Sequence, residues 1–146
     1  MFKTQIETIL HLDASSREYF RGVYAIDQLP RLASSAAYVI NYDESDEEGS
    51  HWVALFNHKG SIDYFDSTGN PPLDIRLQQF IGDTYSYNPF QLQQVLGNAC
   101  GFYSTYYILQ RSRNKSSNDM LRLLTRTNSD YIVKKFLYNH YKPIFS

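Results

Sequence analysis

Gln93-Gln94-Val95-Leu96-Gly97-Asn98-Ala99-Cys100-Gly101-Phe102-Tyr103 carries the single cysteine of a 146-residue chain. An apolar run follows it directly: Phe102, Tyr103, Tyr106, Tyr107, Ile108 and Leu109. The spacing of those residues predicts a helix packed into a core, with Cys100 as its first residue. Backbone N–H groups at a helix start have no intrahelical acceptor, and the macrodipole favours an anion there, so a thiolate at that position is stabilised. The polar, Gly-containing approach leaves room for a second backbone beside the sulfur. A lone cysteine is by default a small buried hydrophobe. A chemical role for Cys100 therefore requires a base and a group that orients it.

Two upstream segments supply both. His51-Trp52-Val53-Ala54-Leu55-Phe56 and Ser61-Ile62-Asp63-Tyr64-Phe65-Asp66 favour strands, and Asn57-His58-Lys59-Gly60 between them is a turn signal. A hairpin centred between His58 and Lys59 puts His51 opposite Asp66, Val53 opposite Tyr64 and Leu55 opposite Ile62, all on one face. A carboxylate so placed holds one imidazole nitrogen while the other points toward a nucleophile. The rival pair is His58 and Asp63. His58 falls in the turn, far from Cys100, and Asp63 points to the opposite face from Asp66. Trp52, beside His51, reads as a core residue of that opposite face.

The order of these blocks resembles a known family. His51-Trp52 ends an acidic loop, Tyr64-Phe65-Asp66-Ser67 follows, and Leu92-Gln93 stands seven residues before Cys100-Gly101. Together with Phe20-Arg21-Gly22-Val23-Tyr24 and Asp27-Gln28-Leu29-Pro30, this is similar to the adenain-type cysteine proteases of adenoviruses, Polinton (Maverick) elements and adintovirus-like viruses. SUMO-deconjugating proteases are more distant members of that clan. Many relatives carry Ser where this chain has Gly97. The resemblance implies an α+β fold, a small mixed or antiparallel sheet packed by helices, with the nucleophile at a helix N-terminus. It also implies a cysteine endopeptidase in which Cys100 is the nucleophile, His51 the base and Asp66 its orienting group. Gln93 supplies the oxyanion donor, because the adenain pattern has its Gln seven residues before Cys; the SUMO-protease spacing of six selects Gln94. Trp52, Asp27 and Gly101 are implied as substrate-binding residues. The expected substrates are viral or transposon-encoded virion precursors cut at small-residue, Gly-containing sites. The alternatives are a protease of ubiquitin-like modifiers and an inactive binding module of the same fold. Adenain is activated by a capsid peptide, disulfide-linked through a second cysteine, and by DNA. With one cysteine, an activating peptide here has to bind without that bond.

Size and composition bound the rest. A chain of this length is expected to form one domain, residues 1–146, with its own core. Hydrophobic content of 42% beside 20% charge is that of a soluble globular protein, and thirteen Tyr with nine Phe suit both cores and peptide-binding surfaces. No stretch approaches the ~18 apolar residues of a membrane span. The N-terminus has no basic-then-apolar signal, so secretion is not expected. A single Cys excludes an internal disulfide and, with four scattered His, offers no zinc-site spacing, so no metal or other cofactor is expected. The net charge of −1 gives no long-range attraction to nucleic acid. A monomer in the virion and in the host nucleus or cytoplasm is the expectation.

The remaining stretches read as supporting structure. Residues 4–11 place Ile6, Ile9 and Leu10 on one helical face, with Thr4 and Glu7 as a capping box. A short helix is expected to end at Phe20. Gly22–Pro30 is extended, with Asp27 as a turn or cap residue, and Ala37–Asn41 is a strand. Asp43, Glu44, Asp46, Glu47 and Glu48 read as a solvated acidic loop that lacks calcium-loop spacing; a functional reading is that it flanks the cleft and favours basic substrate segments. Leu73–Ile81 has helical periodicity ended by Gly82. Beyond the basic cluster at 111–115, which reads as a solvated linker, two further helices are predicted near 116–124 and 128–138.

Overall fold

The computed structural model describes residues 1–44, 51–94, 98–125 and 128–146. One mixed sheet has the order β1 (Phe20–Ala25), β2 (Ser35–Asn41), β3 (Trp52–His58), β4 (Ser61–Phe65) and β5 (Ser86–Tyr87). The inner pairs β2–β3 and β3–β4 are antiparallel, while β1 joins β2 and β5 joins β4 in parallel. The helices are α1 (Lys3–Leu12), α2 (Ile75–Ile81), α3 (Cys100–Arg111), α4 (Ser117–Leu124), α5 (Ser129–His140) and α6 (Lys142–Phe145). A 3-10 turn at Ser16–Glu18 leads from α1 into β1. The α+β expectation, a small mixed sheet packed by helices, is met.

The sheet is covered on both faces, which explains why residues 36–40 and 52–56 are apolar without alternation. Trp52, Ala54 and Phe56 of β3 face α3, and Val53 and Leu55 face the other way. Every residue from Cys100 to Leu109 is buried, so α3 is a central helix with β3 on one side and α1, α4 and α5 around it. Tyr107 stacks on Phe65 with ring centroids 4.3 Å apart. On the opposite face Tyr38, Ile40, Val53, Leu55 and Tyr64 lie beneath Leu77 and Ile81 of α2. Seven residues are too few for a helix to persist alone. Burial of Leu77 and Ile81, worth about 2 kcal/mol each, holds α2 in place, and Asp74 caps it by accepting the Arg76 N–H.

Two local expectations need correction. The hairpin turns at Lys59-Gly60, both with positive φ (52° and 90°), and pairs His58 with Ser61 and Leu55 with Tyr64. The pairing is therefore two residues away from the predicted register. A two-residue turn of this hand requires positive φ at both central positions, so Gly60 takes the second of them. An even slip preserves the faces, and His51 and Asp66 become diagonal neighbours instead of direct partners. The α1 cap also differs: Gln5 accepts the Phe2 N–H at 2.8 Å, and the Thr4–Glu7 box does not form.

Gly69 lies just beyond Asp66 with φ +81°, and a Cβ there would stand 2.6 Å from the Phe90 carbonyl carbon. The residue lets segment 90–91 cross directly over this turn. Gly69→Ala is expected to cost about 2 kcal/mol or more through combined backbone strain and clash, read as a lower urea midpoint with an unchanged slope.

Candidate active site

The C-terminal end of β2 and the N-terminal end of β3 meet the start of α3 at one end of the sheet. Cys100 opens α3, and Ala99 before it provides no side-chain cap, so the helix-end N–H groups remain directed at the sulfur's surroundings. The Trp52 N–H donates to the Cys100 Sγ at 3.4 Å, and the Gly101 N–H also hydrogen-bonds it. The Trp52 carbonyl accepts from Ser104 Oγ at 3.2 Å, which stitches the first turn of α3 to β3.

His51 immediately precedes β3. Its Nε2 lies 3.1 Å from Asp66 Oδ1, and its ring also hydrogen-bonds Cys100. With Nε2 engaged by the carboxylate, Nδ1 is the nitrogen left for the sulfur. Asp66 is 2% exposed, and its Oδ1 also accepts the Thr68 N–H at 2.9 Å and the Thr68 hydroxyl at 2.6 Å. Asp66 Oδ1 acts as an acceptor toward both Thr68 groups, and the His51 contact to the same oxygen is satisfied with Nε2 donating. The Asp66 backbone is fixed in turn by Asn88, whose Oδ1 accepts the Asp66 N–H at 2.9 Å and whose Nδ2 donates to the Asp66 carbonyl. Tyr42 covers the other side of His51 with its ring centroid 5.4 Å away, and its hydroxyl meets that of Tyr64 at 2.6 Å.

These contacts separate the charges. Burial opposes an imidazolium at His51, but the Asp66 hydrogen bond and the negative neighbours Asp66 and Cys100 outweigh it and push His51 up to about 10. Burial likewise opposes a thiolate at Cys100. The His51 contact and the Trp52 and Gly101 N–H groups outweigh it and hold the thiol below its usual range. Both shifts run toward a thiolate–imidazolium pair.

Gln93 is buried, and its Oε1 accepts the Ser67 hydroxyl at 2.5 Å. Ser67 is the chain neighbour of Asp66, so the carboxamide lies beside the same turn. The Ser67 carbonyl also accepts the Leu92 N–H at 2.8 Å and the Gln93 N–H at 3.2 Å. Gln94 is exposed, with its N–H directed at Asp130 Oδ2 3.4 Å away.

Trp52, Gly101 and Asp27 take different positions. Trp52 is 6% exposed, in the core as its strand position predicts. Gly101 is buried, and a Cβ there would meet Met1 Cβ at 3.0 Å and Trp52 Cδ1 at 3.1 Å, so its missing side chain makes room for the indole. Asp27 is exposed in the turn after β1, at the same end of the sheet as His51. His58 ends β3 at the far end, and Asp63 turns away to pair with Arg111 Nη1 at 2.7 Å. That pair and Arg113 with Asp13 neutralise two cations of the basic cluster. Of the acidic loop, Glu44 pairs with Arg76 at 3.0 Å, and residues 46–48 lie outside the described residues. Among the described residues no His, Cys, Asp and Glu cluster has the arrangement of a metal site, and no helix is long and apolar enough to cross a membrane.

Tyr42, Ser67, Thr68 and Asn88 are absent from the sequence-based site. Asp66-Ser67-Thr68-Gly69 is a recognisable side-chain-to-backbone turn motif, and that signal points to Thr68. Nothing in the sequence links Asn88 or Tyr42 to the site.

No protein-family model matches the chain, and no curated protein matches it by sequence. Solved structures do match. ASFV pS273R protease superposes with a TM-score of 0.60 at 21% identity over 89% of this chain and 64% of that one. Its selenomethionine form gives 0.50 at 28% identity over 73% of this chain and 44% of that one. SUMO protease Ulp1, with its catalytic cysteine oxidised to a sulfonic acid, gives 0.51 at 18% identity over 94% and 79%. The chain has the pS273R and Ulp1 protease fold. It spans less than two thirds of the length of pS273R protease.

The charges at this site set a titration. Imidazolium persists until pH passes about 10, and thiolate forms below the ordinary thiol range. Asp66→Asn removes the charge that favours imidazolium and is expected to lower the His51 inflection by about one unit or more. The same change should raise the inflection of Cys100 alkylation by iodoacetamide. NMR of the His51 ring protons and alkylation rates across pH measure both.

Proposed function

We propose that this chain is a cysteine endopeptidase of the adenain-like kind, with Cys100 as nucleophile, His51 as acid and base, Asp66 as the orienting carboxylate and Gln93 as an oxyanion donor. The observation that carries this reading is the meeting of a desolvated thiol, an imidazole and a buried carboxylate at the start of one central helix. In the reaction, the Cys100 thiolate attacks the scissile carbonyl carbon. The resulting oxyanion takes hydrogen bonds from the Cys100 N–H and the Gln93 carboxamide. His51 then protonates the departing amine as the C–N bond breaks, leaving a thioester on the sulfur. Water, losing a proton to His51, attacks that thioester, and the acid product leaves with the thiolate–imidazolium pair restored.

The polypeptide substrate of this reading is a virion precursor cleaved at Gly-containing sites, in the virion and the infected cell. A shallow, mainly apolar cavity of about 150 Å³ beside His51, lined by Tyr42, Asn70, Pro71 and Leu73, would border the chain on the leaving-group side, because His51 must reach the departing nitrogen. The enzyme works as a monomer without a cofactor, and an activating peptide would bind non-covalently. Internal pairing of Arg111 and Arg113 disfavours a strong DNA effect. The likeness to Ulp1 supports a second reading, cleavage of ubiquitin-like modifiers after Gly-Gly.

A library of Gly-x-Gly peptides, assayed beside a Gly-Gly-ended modifier fusion, separates the two readings by the faster substrate. Cys100→Ala is expected to abolish turnover, and cleavage that persists in it rejects the nucleophile. Gln93→Ala should lower kcat about 10²-fold, and Gln94→Ala should change it less than about 2-fold.

A further inference from the structure

We propose that the cavity beside His51 is a specificity subsite on the leaving side of the scissile bond. It takes an apolar side chain, such as that of leucine, from one of the first two residues after the cut. The proposal rests on the proteolytic reading and adds a sequence requirement to it.

Position is the first argument. His51 has to protonate the departing nitrogen, so that nitrogen lies within hydrogen-bond reach of the imidazole. An extended chain advances about 3.3 Å per residue, and its side chains alternate between two sides. One of the first two residues beyond the nitrogen therefore turns toward the protein while the chain is still beside His51. The cavity opens there, lined by His51 and Asp66 together with Tyr42, Asn70, Pro71 and Leu73. A single exposed leucine has no significance of its own. Leu73, 71% exposed and unused by the core, gains one from the cavity it shares with His51.

The chemistry of the lining selects the occupant. Its polar groups are engaged with protein partners: His51 Nε2 with Asp66 Oδ1, the Tyr42 hydroxyl with that of Tyr64, and Asn70 Nδ2 with Thr68 Oγ1. A polar side chain entering there gives up water without a ready partner, whereas an apolar one gains by leaving water. The Asp66 carboxylate also repels an acidic side chain. A volume of about 150 Å³ holds a group the size of a benzene ring or a branched aliphatic side chain.

The walls are in place before any substrate arrives. The Tyr42 N–H donates to the His51 carbonyl at 3.0 Å, and the Tyr42 hydroxyl meets that of buried Tyr64 at 2.6 Å. Arg76 pairs with Glu44 at 3.0 Å and with Asp74 at 2.9 Å, which joins the segment after Tyr42 to the residue after Leu73. These partly exposed pairs fix geometry more than they add stability.

The test uses peptides that share one Gly-x-Gly sequence before the bond and carry Leu, Gly or Asp at either of the first two positions after it. Complete burial of a leucine side chain corresponds to roughly 10- to 150-fold in an equilibrium. A shallow cavity captures about half of that free energy, so Leu at one of the two positions is expected to exceed Gly by about 3- to 12-fold in kcat/KM, with Asp below Gly. Leu73→Ser should lower the Leu-to-Gly ratio about 2-fold or more while Cys100 alkylation by iodoacetamide keeps its wild-type rate. Leu73→Lys should cleave the Asp peptide about 2- to 5-fold faster than wild type does, a gain that a damaged fold does not produce. Cys100-dependent cleavage of the Leu, Gly and Asp peptides within about 2-fold of one another at both positions, or a preference unchanged in both Leu73 variants, overturns the subsite and leaves the protease reading intact. If wild type cleaves none of these peptides that Cys100→Ala leaves whole, the protease reading itself falls, and the subsite falls with it.

Discussion

The pairing of the Cys100 thiol with the His51 imidazole is the constraint that the surrounding structure serves. Two opposite charges in a largely desolvated site persist only if each is solvated by protein groups in place of water. Cys100 has the Trp52 and Gly101 N–H groups and the uncapped start of α3. His51 has the Asp66 carboxylate, itself held by two donors from Thr68. Each partner is therefore stabilised in its charged form against the cost of burial, and burial is the largest opposing influence on both.

The two-sided core makes this arrangement rigid. α3 is buried from Cys100 to Leu109, so its first residue has no freedom to tilt away from β3. On the sheet side, the Trp52 main chain bonds Cys100 through its N–H and Ser104 through its carbonyl, so β3 and α3 are joined at the site. Gly101 permits this proximity by leaving room for the Trp52 indole. Asn88 extends the hydrogen bonding beyond the short β5 strand and fixes the main chain of Asp66. The site thus draws on the start of β3, the turn after β4, the residue after β5 and one central helix.

The hairpin shows how much of this was readable in advance. The strands around Asn57–Gly60 were legible because β-branched and aromatic residues flank a Gly-containing turn, and the shared face of His51 and Asp66 survived the change of register because the slip was even. The distance between them was not legible, since it depends on which two residues occupy the positive-φ positions. The start of α3 at Cys100 was readable from the apolar spacing behind it. Asn88 and Tyr42 were not, because their contacts with Asp66 and His51 join separate segments of the chain and leave no local pattern.

By itself, the sequence determined the helix that begins at the cysteine and a strand pair carrying a histidine and an aspartate on one face. Those features follow from local periodicity and turn chemistry, which act over a few residues. Only the tertiary structure decided that Asp66 accepts from Thr68 as well as His51, that Ser67 holds Gln93, and that Gly101 serves the packing of Trp52. These are hydrogen bonds and close approaches whose geometry is set when sheet and helices pack. A sequence pattern specifies which groups are available, and the packed backbone specifies which of them meet.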